Sequence, residues 1–199
     1  MSMLLKDLLK ESEETSPLKV QLYLDLDGVM ADLDKGFKRL SGGLGATEYQ
    51  KIHGKGSFWE VIGRKDPTTR KPKHPNFWID LEPMPDAQIL WKFIKENFKN
   101  PDTAILSAGQ GETIKQQKTE WVRRHIDPNV KVIIADAGAR KSNFILPYPS
   151  GQRITHLLLD DHQKNINAWN NEAKHQIGIL HTNAASSIKQ LNNFLPEIK

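Results

Sequence analysis

The chain contains no cysteine, which excludes disulfides, thiolate zinc sites and cysteine nucleophiles and leaves a reducing cytoplasm as a compatible setting. Long hydrophobic runs are missing too: no apolar stretch approaches the ~20 residues that a membrane-spanning helix needs, so no membrane partner is expected. Charge of one sign is not dominant. The 28 basic and 24 acidic residues leave a nominal +4, which favours anionic substrates slightly and does not by itself indicate nucleic acid. Histidines occur without HxH or HxxxH spacing, so no zinc pattern emerges. The opening segment Met1–Pro17 has acids and no arginine, which suits neither a secretory signal nor a mitochondrial presequence. Leu4, Leu5, Leu8 and Leu9 instead suggest a short amphipathic helix docked on the body.

Short apolar runs at Val20–Leu26, Thr103–Leu106, Val130–Ala135, Ile154–Leu159 and Gln176–Leu180 read as five buried strands. Helix-like segments separate them. Asp86–Phe98 places Ile89, Leu90, Phe93, Ile94 and Phe98 on one apolar stripe, and Glu112–His125 turns Ile114, Trp121 and Val122 inward. Gln163–Ala173 and Ala184–Phe194 are the remaining helical candidates. This alternation predicts an α/β fold of three layers, Rossmann-like, with a mostly parallel sheet covered on both faces. Only Asp34–Glu82 breaks the pattern. It holds Gly-rich Ser41–Gly45, the basic run Arg64–Lys73 and four clustered aromatics, and a structureless loop of that length would be unusual, so it reads as a small helical cap inserted after the first strand. The expected organisation is an arm at 1–19, a core at 20–33 and 83–199, and a cap at 34–82. Ser41–Gly45 lacks both a preceding strand and a following GK[ST], so a cap turn fits it better than a phosphate loop.

The chemistry concentrates at strand ends. Leu22–Leu24 leads into Asp25-Leu-Asp27-Gly28-Val29, and functional groups in open α/β sheets gather at the carboxyl ends of strands. Two acids separated by one residue there would repel each other unless a cation or a proton were shared. A second apolar strand, Leu157–Leu159, ends in Asp160 and Asp161, whose side chains should point in opposite directions and so serve different purposes. Between them lie Ser107 at the end of the second strand, Lys118 within the helical candidate Glu112–His125, and Lys141 after the third strand.

In this order the segments resemble the four motifs of the haloacid dehalogenase-like (HAD) superfamily, from about Val20 to about Leu180. DxDGV corresponds to motif I, Ser107 with Ala108 and Gly109 to motif II, and Asp160-Asp161 to motif IV. The closest resemblance is to the 5'(3')-deoxyribonucleotidases, because Phe77-Trp78-x-x-Leu81-x-Pro83-x-Pro85-x-Ala87 and Lys118-x-x-Trp121-Val122 both match that family. One departure is Ala108, where the family usually has a second hydroxyl. The resemblance implies a Mg²⁺-dependent phosphomonoesterase in which Asp25 becomes an aspartyl phosphate and Asp27 is the general acid and base. Ser107, Ala108, Gly109, Lys118 and Lys141 would surround the phosphate, with Lys118 preferred over Lys141 as the motif III lysine. Asp25, Asp27 and Asp161 would hold the metal, with Asp160 behind them or on a metal-bound water. The implied substrate is a small phosphorylated molecule, a nucleoside monophosphate, in the cytoplasm. Two rival readings share these motifs. One is a polynucleotide 3'-phosphatase using the Arg64–Lys73 run, with nucleic acid the less favoured partner; the other is a non-catalytic metal- or nucleotide-binding regulator.

Overall fold

In the computed structural model, residues 19–98, 103–147 and 154–195 are described; the helix expected around Leu4–Leu9 lies outside them. Five strands form one sheet: β1 Lys19–Leu24, β2 Thr103–Gly109, β3 Lys131–Asp136, β4 Ile154–Asp160 and β5 Gln176–Leu180. All neighbours are parallel, in the order β3-β2-β1-β4-β5. The first strand is therefore central, and Val20 to Leu24 are all buried. A central parallel strand is covered on both faces, which is why its sequence is a continuous apolar run rather than an alternating one.

Between β1 and β2 come α1 (Leu33–Ser41), α2 (Ala46–His53), α3 (Ser57–Ile62) and α4 (Ala87–Asn97). Later come α5 (Glu112–His125), a 3₁₀ turn at Lys141–Phe144, α6 (Gln163–Asn170) and α7 (Ala184–Leu191). Alternation along β1 sorts these into layers. Leu22 and Leu24 share a core with Leu90 and Ile94 of α4, Trp121 and Val122 of α5, and Leu191 of α7. Tyr23 faces the opposite way, into a smaller cluster with Ala104, Leu106, Leu158 and Trp169 of α6. The α/β reading thus holds, with helices on both faces. Among the described residues no helix is long and apolar enough to cross a membrane.

Helix α4 differs from expectation at one position. Ile89 is 62% exposed, and the buried stripe is Ala87, Leu90, Trp91, Ile94 and Phe98. The i, i+3, i+4, i+7 spacing is satisfied better by Trp91 than by Ile89, which falls on the solvent edge. The segment expected to be helical, 34–82, contains α1, α2 and α3 and contributes no strand to the sheet. It is not a separate globule, because Phe37, Phe58, Val61, Phe77, Trp78 and Leu81 belong to the same apolar core as Leu22 and Leu24.

Candidate active site

The turn after β1 sets the site. Gly28 N–H donates to the Ala31 carbonyl at 2.9 Å, and Met30 and Ala31 N–H both donate back to the Leu26 carbonyl. Val29, Met30 and Ala31 are thereby folded into the core, and the carboxylates of Asp25 and Asp27 are left at the sheet's carboxyl edge. Gly28 has φ +77°, a backbone conformation that other residues adopt only with strain, and a Cβ there would come within 2.1 Å of Asp161 Oδ2. The glycine therefore serves both the turn and the approach of the second acidic strand end.

Asp25 is nearly buried. Its Oδ1 accepts from Leu26 N–H at 2.7 Å, and its Oδ2 lies 2.9 Å from Lys141 Nζ. Lys141 also donates to Asp160 Oδ2 at 2.6 Å, so one ammonium bridges the ends of β1 and β4. Burial works against that charge, but Asp25 and Asp160 together hold the Lys141 pKa above the ordinary lysine value. Asp160 is wholly buried and further accepts from His162 N–H at 2.8 Å and from Asn165 Nδ2 at 3.1 and 3.0 Å. Its pKa is raised, by burial first and then by Asp25.

Asp27 makes the second pair. Its Oδ2 accepts from Lys118 Nζ in a close ion pair, while Oδ1 is buried with no hydrogen-bond partner. Burial pushes the Asp27 carboxyl up, and the charge of Lys118 pulls against this without cancelling it. Lys118 itself is buried among polar groups and an aromatic face. It donates to Ser107 Oγ at 3.2 Å and to the Ala108 carbonyl at 2.6 Å, and lies 4.3 Å from the centroid of the Trp78 ring. Such a cation–π contact supports a charge taken out of water. Ser107 is fully buried, Ala108 is exposed, and Gly109 leaves room where a Cβ would stand 2.9 Å from Ile134 Cγ2.

Asp161 completes the cluster from the exposed side. One oxygen from each of Asp25, Asp160 and Asp161 can lie within 4.8 Å of the others. Asp161 has its pKa pushed up to about 7, by burial first and then by the neighbouring Asp25 and Asp160 carboxylates. Three converging carboxylates with one lysine between two of them form an all-oxygen donor set short of positive charge, which fits a hard divalent cation. Asp160 and Asp161 do not point apart as two adjacent strand residues would, because β4 ends at Asp160 and both carboxylates reach the same cluster; they differ in surroundings, Asp160 being enclosed by Lys141 and Asn165 and Asp161 open.

All the sequence-predicted residues, Asp25, Asp27, Ser107, Ala108, Gly109, Lys118, Lys141, Asp160 and Asp161, come from the carboxyl ends of β1, β2 and β4, the second turn of α5 and the turn after β3. The two lysines that competed for one role are both present, on different partners. Three contacts escaped sequence reasoning. Asn165 clamps Asp160, and its place one turn into the helix after Asp160-Asp161 was a usable signal. Trp78 covers Lys118. Gln117 Oε1 accepts from Trp78 N–H at 3.2 Å while its Nε2 donates to the Pro75 carbonyl at 2.7 Å, fastening the end of the inserted segment to α5. Nothing local to Gln117 marked it.

The mitochondrial 5'(3')-deoxyribonucleotidase of Mus musculus is 22% identical over 194 residues, covering 82% of this chain and 88% of that protein. The chain is also similar to two solved structures from Legionella pneumophila, at a TM-score of 0.45 each. The effector Ceg4 is 14% identical, with 93% of this chain and 99% of that chain covered. The HAD domain of effector protein Lem4 is 15% identical, with 92% and 99% covered. No protein-family model matches the chain.

Proposed function

We propose that this chain is a cytoplasmic, Mg²⁺-dependent phosphomonoesterase of the HAD type that removes phosphate from (deoxy)nucleoside monophosphates. The observation that carries the reading is the double pairing at the edge of the sheet, Asp25 with Lys141 and Asp27 with Lys118. Two acids one residue apart are thereby given different partners and different tasks. Asp25 attacks phosphorus through a carboxylate oxygen; the phosphorus–oxygen bond to the alcohol breaks, and the phosphoryl group is held as an acyl phosphate. Asp27 gives its proton to the departing alkoxide and then takes one from the water that attacks the acyl phosphate, returning inorganic phosphate and the Asp25 carboxylate. The raised pKa of Asp27 suits the donating step. Lys141, on the nucleophile, is the better motif III lysine, and Lys118 holds Asp27 and Ser107 in place.

Asp25, Asp161 and the Asp27 carbonyl would hold Mg²⁺, with Asp160 positioning Lys141 behind them. When bound, the ion supplies charge to neutralise the phosphate and orient it for in-line attack. The pH dependence follows from Asp161. A carboxylate raised to about 7 in the folded protein binds a proton there that the unfolded chain releases near the ordinary carboxylate value. Its contribution to metal-free stability is therefore present at low pH and lost as pH rises through about 7. A bound Mg²⁺ would compete with that proton for Asp161, so the rise in melting temperature on adding Mg²⁺ over a chelator should be larger at about pH 8 than at about pH 6. An equal rise at both would remove Asp161 from the metal site.

Within the cap, the aromatics at 58–59 and 77–78 would select the substrate. Of the four aromatics, Phe58, Phe77 and Trp78 are buried and pack on one another, whereas Trp59 is 41% exposed. Trp59 lies 6.1 Å from Trp78, ring centre to ring centre, and Trp78 in turn covers Lys118, so its open face suits stacking on a base whose phosphate is at Asp25. The test is phosphate release from a panel of 5'- and 3'-nucleoside monophosphates, with Mg²⁺ and with chelator, in wild type and Trp59→Leu. Hydrolysis of nucleotides should require Mg²⁺ and fall roughly tenfold in the variant, with p-nitrophenyl phosphate little changed, since binding of the non-reacting part is what is lost. No turnover of any nucleotide would sink the nucleotidase reading.

A further inference from the structure

The basic run Arg64–Lys73 takes no part in the site described above, yet it is neither a loose tail nor internally neutralised. It folds into a hairpin whose arms are joined by a bridge between Lys65 and Pro72 and by Lys73 N–H donating to the Arg64 carbonyl at 2.8 Å. Asp66 builds the turn: its Oδ1 accepts from Thr68 N–H at 3.0 Å, Thr69 N–H at 2.7 Å and the Thr69 hydroxyl at 3.0 Å. The same bonds hold the Asp66 carboxyl below its ordinary range. The single acid of the run is thus spent on backbone and hydroxyl groups. Arg64, Lys65, Arg70, Lys71 and Lys73 are all exposed, and none of them forms an ion pair with any described residue. On the neighbouring helix α1, by contrast, Lys35 and Arg39 are paired with Glu82 and Lys38 with Asp34.

The hairpin's position adds to its charge. It leaves directly from α3, where Gly63 N–H bonds the Trp59 carbonyl and Arg64 N–H the Val61 carbonyl, so its root stands within a turn or so of Trp59. From there contacts run inward from Trp59 to Trp78 to Lys118 to Asp27. Its other arm continues through Lys73 and His74 into the wall of a cavity of about 300 Å³ that also has Phe77 and Leu81 in its wall and none of the catalytic carboxylates. We propose that this hairpin is a docking surface for single-stranded nucleic acid, and that the phosphomonoester at Asp25 is, in addition to a free nucleotide, the terminal phosphate of such a strand. The proposal rests on the phosphatase reading of the site. A preformed row of unpaired cations beside an exposed tryptophan is the combination by which backbone phosphates are neutralised and a base is stacked. An anionic bilayer is the poorer match, because the tip, Asp66-Pro-Thr-Thr-Arg-Lys-Pro-Lys, offers no large apolar side chain to insert.

The test compares wild type with the double variant Arg70→Glu, Lys71→Glu, both positions exposed and outside the catalytic machinery. The substrates are a nucleoside monophosphate and single strands of about 12 nucleotides carrying a 5'- or a 3'-phosphate, at about 50 and about 200 mM salt. Phosphate release from the strand should fall tenfold or more in the variant at low salt, with mononucleotide hydrolysis unchanged. The log–log slope of strand affinity against salt should flatten by about 1.4, or about 0.7 for each lost phosphate contact. Equal strand hydrolysis by both proteins overturns the proposal, as does binding to anionic vesicles in preference to the strand. If wild type hydrolyses mononucleotides but neither binds nor processes strands, the hairpin proposal falls and the nucleotidase reading stands. If it hydrolyses neither, the site reading fails and the proposal falls with it.

Discussion

Asp25→Asn is expected to abolish phosphate release from every phosphomonoester, by at least about a thousandfold, because removing a covalent nucleophile forfeits the step on which the remaining machinery acts. The same change should leave the metal-free protein as stable as wild type or more so. The amide oxygen can still accept from Leu26 N–H, the bond that orients the native carboxylate at 2.7 Å. Lys141 loses one of its two carboxylates but keeps Asp160 at 2.6 Å. Against this loss, the charge on Asp25 is the neighbour that most raises the pKa of both Asp160 and Asp161, so neutralising it relieves two strained carboxylates at once. Loss of turnover with a retained or higher melting temperature would separate a catalytic role from a structural one. Wild-type-like turnover in the folded variant would reassign the nucleophile.

What could be read in advance, and what could not, follows from the range of each signal. The strand runs were legible because both faces of a parallel sheet are buried, and Gln176–Leu180 and Glu112–His125 coincide with the observed elements. The different surroundings of Asp160 and Asp161 were expected from opposite directions along a strand, but β4 ends at Asp160 and the two carboxylates converge. Ile89 was misplaced because a stripe of apolar residues on a helix has no sharp edge when a tryptophan two residues on can fill the core instead. The sequence ranked Lys118 above Lys141 on a motif match, without access to what either lysine touches. Lys118 reaches the site from the first turns of α5 and Lys141 from the 3₁₀ turn after β3, and only the meeting of separate loops shows that one sits on Asp27 and the other on Asp25. The aromatics raised the same difficulty: nothing in Phe58-Trp59 tells which ring is buried, and the answer depends on Trp78, arriving from elsewhere in the chain.

Asp27→Asn should cost roughly a hundredfold to ten-thousandfold in turnover of an alkyl phosphate, the range for losing a positioned general acid and base. Its neighbours should hardly move. An asparagine oxygen can accept from Lys118 as Asp27 Oδ2 does, and Lys118 keeps Ser107, the Ala108 carbonyl and the Trp78 face. What the amide cannot do is give up a proton to the alkoxide or take one from water, the work assigned to a carboxyl whose pKa burial has raised. The two halves of the reaction should therefore respond differently to the leaving group. p-Nitrophenolate departs without a proton, so its release from the first half-reaction should survive, while breakdown of the acyl phosphate on Asp25 still lacks its base. Rapid mixing of the variant with p-nitrophenyl phosphate and Mg²⁺ should then give a burst close to one equivalent of p-nitrophenolate per protein, followed by a slow steady rate, with acid-stable phosphate retained on the chain. With an alkyl nucleotide both halves are impaired, and no burst of nucleoside should be seen. A variant that turns over an alkyl phosphate at the wild-type rate would show that another group moves the proton, and Asp27 would be left with only its contact to Lys118 to explain its place in the site.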